Sequence, residues 1–124
     1  MVTEAAIKKI SQDFNFLKPQ LQGIILFGSY ADDSSTIRSD IDICLVVGRR
    51  DVKDIFNKVL ESGVTEKYDI KIFETLPIYL KAEVMEKPVL IWAADEPELS
   101  YYLYNWNRMV YDQFKIRQKL TASS

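Results

Sequence analysis

The chain has 124 residues, 48% hydrophobic and 27% charged, with a single cysteine, Cys44, and no histidine. That excludes a Ser/His/Asp or Cys/His relay, an imidazole-ligated zinc site and a disulfide or thiolate cage, so any acid, base or metal ligand must be a carboxylate, lysine, tyrosine or hydroxyl. The 16 Lys and Arg against 18 Asp and Glu leave a net charge of −2, without the basic excess of a dedicated nucleic-acid binder, so small molecules or proteins are the expected partners.

The length predicts a single domain over residues 1–120, with 121–124 as a loose tail. The N-terminus carries no basic region followed by an apolar block. The longest apolar runs, such as Val89 to Ala94, fall far short of the roughly 20 residues that span a bilayer. With its lone thiol the chain reads as cytoplasmic, with no membrane partner.

In chain order, Ile7, Ile10, Phe14 and Leu17 fall at helical spacing and Pro19 limits that helix. Ile24 to Phe27 is a short apolar run stopped by Gly28, which predicts a buried strand. Ile41, Ile43 and Leu45 alternate with Asp40, Asp42 and Cys44, the period of a strand with two different faces. Val52, Ile55, Phe56, Val59 and Leu60 mark a second helix, which Gly63 should stop. Ile70 and Ile72 alternate with Asp69 and Lys71 in a third strand; a helix over about 77–86 and a strand over 89–92 follow. The last helix is expected over about 97–119, opened by Asp95 and Glu98 as a capping pair. The order predicts an α/β (α+β) fold, a small mixed sheet with helices packed on it, its core over about 20–93.

The chemistry concentrates between Gly28 and Asp42. Phe27-Gly28-Ser29 ends one strand, ten residues intervene, and Asp40-Ile41-Asp42 begins the next. Strand alternation puts Asp40 and Asp42 on one face, about 7 Å apart, with Ile41 and Ile43 turned into the core. Two adjacent carboxylates are tolerated at neutral pH mainly around a cation, and oxygen-only ligation with open positions suits Mg²⁺ carrying a nucleotide's phosphates. A Gly-Ser turn offers backbone N–H groups and the Ser29 hydroxyl to a phosphate. Asp69, on the next strand, joins the other two acids if the strands pair side by side.

Gly28-Ser29, the ten-residue gap, Asp40-Ile41-Asp42 and a third acid at Asp69 within a hydrophobic strand together resemble the minimal nucleotidyltransferases of the DNA polymerase β superfamily, and most of all the MNT-domain antitoxins. The resemblance covers residues 20–93. It implies a polymerase-β-like nucleotidyltransferase fold and an enzyme that uses Mg²⁺, two ions, to move AMP from ATP to a tyrosine of a HEPN-domain ribonuclease toxin. It assigns Asp40, Asp42 and Asp69 to metal binding and catalysis, and Gly28 and Ser29 to the phosphates. Family members commonly carry Arg and Gly shortly after the alanine that follows Gly-Ser, whereas Ala31 is followed here by Asp32-Asp33. Arg38 is then the cation placed to contact the triphosphate. Two alternatives stay open: a catalytically weak module that silences its partner by occlusion, and transfer to a small molecule or an RNA end.

Other features have plainer readings. Cys44 reads as a small buried hydrophobe. Glu74 has parity opposite to Asp69 and stays outside the site. Arg49, Arg50 and Lys53 form a basic patch that reads as a solvated turn ahead of a phosphate contact. In the last helix Leu99, Tyr102, Leu103, Trp106, Met109, Val110 and Phe114 form a core-facing stripe, while Tyr101, Tyr104 and Tyr111 fall off it, onto water or a protein interface. Lys115, Arg117 and Lys119 complement that helix's dipole.

Overall fold

The structure, a computed structural model, describes residues 2–28 and 41–122, with side chains as far as 113. Among these the order is α1 (Glu4–Asp13), β1 (Gly23–Phe27), β2 (Ile41–Val46), α2 (Val52–Ser62), β3 (Tyr68–Ile72), α3 (Ile78–Glu86), β4 (Val89–Ala93) and α4 (Glu96–Ala122). Each helix begins where the sequence offers a cap or a proline. Thr3 accepts the Ala6 N–H at 3.1 Å, Asp51 the Lys53 N–H at 3.0 Å and Asp95 the Glu98 N–H at 3.0 Å, each satisfying a donor the first helical turn leaves unpaired. Pro77 precedes α3, and Gly63, at φ +80°, ends α2.

Two boundaries differ from the sequence expectation. α1 stops at Asp13, and Phe14 to Leu17 form turns that lead into a 3₁₀ turn over Lys18–Gln20 with Pro19 at its start. Phe14 and Leu17 are nevertheless fully buried. The apolar spacing therefore reported a buried face that continues past the helix. α4 runs through Ala122, two residues into the expected tail.

The strands lie in the order β3-β2-β1-β4. β1 is antiparallel to both β2 and β4, and β2 is parallel to β3, making the sheet mixed. Strand alternation splits the core into two layers. Ile24, Leu26, Ile43 and Leu45 pack with Ile10 and Phe14 of the α1 segment and Ile55 and Val59 of α2. Ile25, Phe27, Cys44 and Val46 pack on the other face with Val84 of α3 and Leu99 of α4. Cys44 is fully buried, which pushes its thiol well above the ordinary range and makes it an inert core residue. The predicted stripe on α4 holds at Leu99 and Val110, but Met109 is 50% exposed. Val110, the next residue, is buried at 4%, so the buried side of the helix passes beside Met109 rather than over it. Phe114, Lys115, Arg117 and Lys119 lie outside the described side chains. No helix of the described residues is long and apolar enough to cross a membrane.

Polar ties join the layers. Glu74 accepts the N–H groups of Val47 at 3.0 Å and Gly48 at 2.8 Å, together with the Tyr102 hydroxyl at 2.7 Å. Lys81 is only 4% exposed; its ammonium donates to the Leu76 carbonyl and lies 4.6 Å from the Trp106 ring centroid. Arg50 donates to the Pro19 carbonyl, so one member of the basic patch pins a turn to its neighbour.

On the opposite layer the Tyr68 hydroxyl donates to Asp13, and the Tyr68 and Phe14 rings lie 5.4 Å apart. This hydrogen bond, with smaller help from Lys9, holds the Asp13 carboxyl below its usual value despite partial burial. A carboxyl that is more acidic folded than unfolded stabilises the fold above the unfolded value, about 3.9, and loses that contribution as pH falls through the folded one. Tyr68→Phe should therefore lower stability by about 1 kcal/mol at pH 7 and flatten its decline below pH ~4. Urea titrations at pH 7 and at pH 3 check this; parallel pH profiles for the two proteins would refute it.

Candidate active site

β1, β2 and β3 bring one residue each to the same end of the sheet. Phe27 pairs with Asp42, and Asp42 pairs with Asp69 across the parallel β2/β3 ladder. The three share one face with Cys44, the face covered by α3 and α4 farther along the sheet. Two acids 27 positions apart in the chain thus stand opposite each other, as the side-by-side pairing of their strands requires.

The pair is electrostatically uncomfortable. Asp42 is half-buried, and desolvation, then the negative charge of Asp69 and a hydrogen bond to it, push the Asp42 carboxyl above its usual value. Asp69 is more open, and Lys71, two residues on and on the same face, donates to its Oδ1 at 3.2 Å. Glu83 of α3 adds a further negative influence on Asp42. The donor set, hard oxygens in a carboxylate pair whose charge is only partly offset, fits a small divalent cation. Among the described residues no group of three or more acids is placed to hold a metal; the third acid of the expectation, Asp40, lies outside them, as do Ser29 and Arg38.

Gly28 closes β1 at φ +78°, and a Cβ there would strike the Asp42 carboxylate. Only glycine combines that backbone angle with so close an approach. Gly28 thus serves the acid as well as the turn. Glu83 and Lys71 were not singled out from the sequence; Lys71 was legible as a same-face neighbour of Asp69, whereas nothing along the chain marks Glu83. An apolar cavity of about 700 Å³ between α2 and β3, walled by Phe56, Leu60, Ile70 and Ile72, does not include the acids. A smaller one of about 430 Å³ reaches Asp69 past Thr65 and Lys67.

Comparison with known proteins bears on this constellation. Residues 7–97 match the family model described as polymerase beta, nucleotidyltransferase. The chain belongs to that family. Over 94 residues it is 46% identical to a protein of Methanocaldococcus jannaschii named for protein adenylyltransferase activity, covering 75% of this chain and 72% of that one. Among solved structures, a toxin–antitoxin complex with AMP-PNP matches with a TM-score of 0.70 at 22% identity, over 94% of this chain and 96% of that chain. A complex of a tri-AMPylated HEPN toxin with an MNT antitoxin from Shewanella oneidensis matches with a TM-score of 0.66 at 19% identity, over 94% and 93%. At such identities these two establish the fold, which is that of the polymerase β nucleotidyltransferases, and the chain is a nucleotidyltransferase.

In this nucleotidyltransferase, Gly28→Ala should reduce nucleotidyl transfer by about a hundredfold, because displacing Asp42 by an ångström misaligns the reacting groups. The fold should lose only about 1 kcal/mol, the strain of alanine at positive φ. Initial rates and urea midpoints of the two proteins test this; a rate within threefold of wild type would show that the close approach has no catalytic consequence.

Proposed function

We propose that this chain is an antitoxin that transfers AMP from ATP to a tyrosine hydroxyl of a HEPN-family toxin, with Mg²⁺ held by Asp42 and Asp69 together with Asp40. The observation that carries this reading is the Asp42/Asp69 pair, opposed across β2 and β3 beside the positive-φ turn at Gly28. The name of the Methanocaldococcus relative and the AMPylated toxin in the Shewanella complex support it.

The residues divide the work. Gly28 and Ser29 present backbone N–H groups and a hydroxyl to the phosphates, and Arg38 offsets their charge. The metal, when bound, supplies charge neutralisation for the triphosphate and acidifies the attacking hydroxyl. Asp69 orients that hydroxyl and accepts its proton, while Lys71 holds the Asp69 carboxylate in place. The tyrosine oxygen forms a bond to the α-phosphorus, the bond from that phosphorus to the bridging oxygen breaks, and pyrophosphate leaves. So short a chain suffices because positioning and charge neutralisation do most of the work.

Incubation with Mg²⁺, ATP and a HEPN-family protein from the same genome, followed by intact mass measurement of both chains, tests the proposal. The expected result is one or more AMP increments on the partner, mapped to tyrosine. A stable complex without any increment would replace transfer by occlusion, and increments on RNA or small molecules alone would remove the protein acceptor.

A further inference from the structure

Two cavities lie end to end along β3. The larger, about 700 Å³, takes in Ile70, Lys71 and Ile72; the smaller, about 430 Å³, takes in Tyr68, Asp69 and Ile70. Successive side chains of a strand point to opposite faces, so a hollow that takes in every residue of β3 follows the strand's outer edge and not one face of the sheet. The lining of the larger cavity agrees, because Val59 belongs to the core layer under α2 and Leu76 to the layer under α3 and α4. β3 is terminal in the sheet order, so among the described residues it has a strand on one side only. Beside it on α2, Phe56 is 51% and Leu60 55% exposed. An open ladder next to an apolar strip is a template for a further strand.

The order of side chains on β3 says which strand fits. Asp69 and Lys71 lie one on each side of Ile70 and share a face, their side chains 45% and 37% exposed. Turned antiparallel about a twofold axis through Ile70 and normal to the sheet, a second β3 sets its Lys71 opposite Asp69 and its Asp69 opposite Lys71, two attractive pairs with Cβ atoms about 5 Å apart. A parallel pairing in register would instead set like charge against like. The same axis keeps α2 of both copies on one side of the joined sheet, where Ile70 meets Ile70 and the exposed Phe56 and Leu60 of each copy flank the seam. We infer that β3 is a homodimerisation edge: two copies join antiparallel through β3 into one continuous sheet, with Asp69 and Lys71 paired across the twofold axis. Such an interface is self-complementary, as a closed dimer requires. Asp42 and Gly28 belong to the inner strands β2 and β1, so the seam does not take them up, while the second copy's Lys71 adds a positive charge beside Asp69. The inference does not depend on the transfer reading.

Sedimentation equilibrium of the full chain over about 1–200 μM, the range in which a small interface of this kind assembles, tests it and should show a monomer–dimer equilibrium. Lys71→Asp and Asp69→Lys each set like charges opposite one another at two places and should weaken the dimer at least about tenfold. The doubly reversed chain, Asp69→Lys with Lys71→Asp, restores opposed pairs and should dimerise again. Phe56→Ser should weaken the dimer without touching the charges. Circular dichroism establishes that each variant is folded, and mass is the readout in place of activity because Asp69 is assigned to the active site. Amide hydrogen exchange gives a second readout, since protection of β3 should rise with chain concentration. A chain that stays monomeric at the highest concentration, a dimer indifferent to the single reversals, or a folded double reversal that stays monomeric would overturn the inference. So would β3 protection that is independent of concentration, because the chain would then cover its own edge, or protection that arises only with a HEPN-family protein, because the edge would then take a different partner.

Discussion

Asp42→Asn should reduce AMP transfer by at least about a thousandfold while leaving the protein folded. Asparagine keeps the shape of the side chain, so the pairing of β2 with β3 and the close approach of Gly28 survive. What is lost is an anionic oxygen of the proposed cation site and the alignment of the groups a cation there would hold, and electrostatic stabilisation of this kind is worth several kcal/mol in a transition state. Stability should move the other way. Asp42 and Asp69 oppose each other as two carboxylates, with Glu83 adding to the field, so removing one charge should raise the metal-free unfolding midpoint or leave it unchanged. Loss of activity together with unchanged or increased stability marks a site that tolerates repulsion for function. Single-turnover rates and urea unfolding of the same preparation check both halves; transfer within tenfold of wild type would remove Asp42 from the site.

Glu74→Ala should destabilise the fold by about 3 kcal/mol, with little change in activity at temperatures where the variant remains folded. The Glu74 carboxylate is the acceptor for Val47 N–H, Gly48 N–H and the Tyr102 hydroxyl, clamping the end of β2 to α4. Alanine would strand three donors in a partly buried position, each worth about 1 kcal/mol or more when it loses a charged partner. Burial, with the Glu74 hydrogen bond, also pushes the Tyr102 hydroxyl up to about 12, so it stays protonated and donating across the physiological range. Asp42 lies five residues back along β2, about 16 Å away, which separates the clamp from the chemistry. Urea unfolding measures the effect, and Glu74→Gln, which keeps one accepting oxygen, should recover about half of it. A midpoint equal to wild type, or a loss of transfer in the folded variant, would contradict a purely structural clamp.

The sequence by itself determined what depends on neighbours along the chain. Asp95 caps α4 and Gly63 ends α2 because a cap and a positive φ are set by one or two residues. The alternation of Ile41, Ile43 and Leu45 with Asp42 and Cys44 located a two-faced strand, and the Gly-Ser to Asp-x-Asp spacing with Asp69 downstream carried the resemblance to the family. The same local rules overreached at Leu17, buried beyond the end of α1, and at Met109, half exposed beside a buried Val110, since apolar spacing records what a chain could bury and not what the fold covers.

Only the tertiary structure decided the contacts made across the chain. It paired Asp42 with Asp69 by the register of a parallel ladder, set Gly28 against the Asp42 carboxylate, and gave Glu74, set aside on parity, its clamp at the far end of β2. It sank Lys81 between Phe73 and Trp106 and brought the charge of Glu83 on α3 within electrostatic reach of Asp42. Such contacts are invisible to periodicity because each joins residues on separate elements, and their geometry exists only once the sheet has its register and the helices their place upon it.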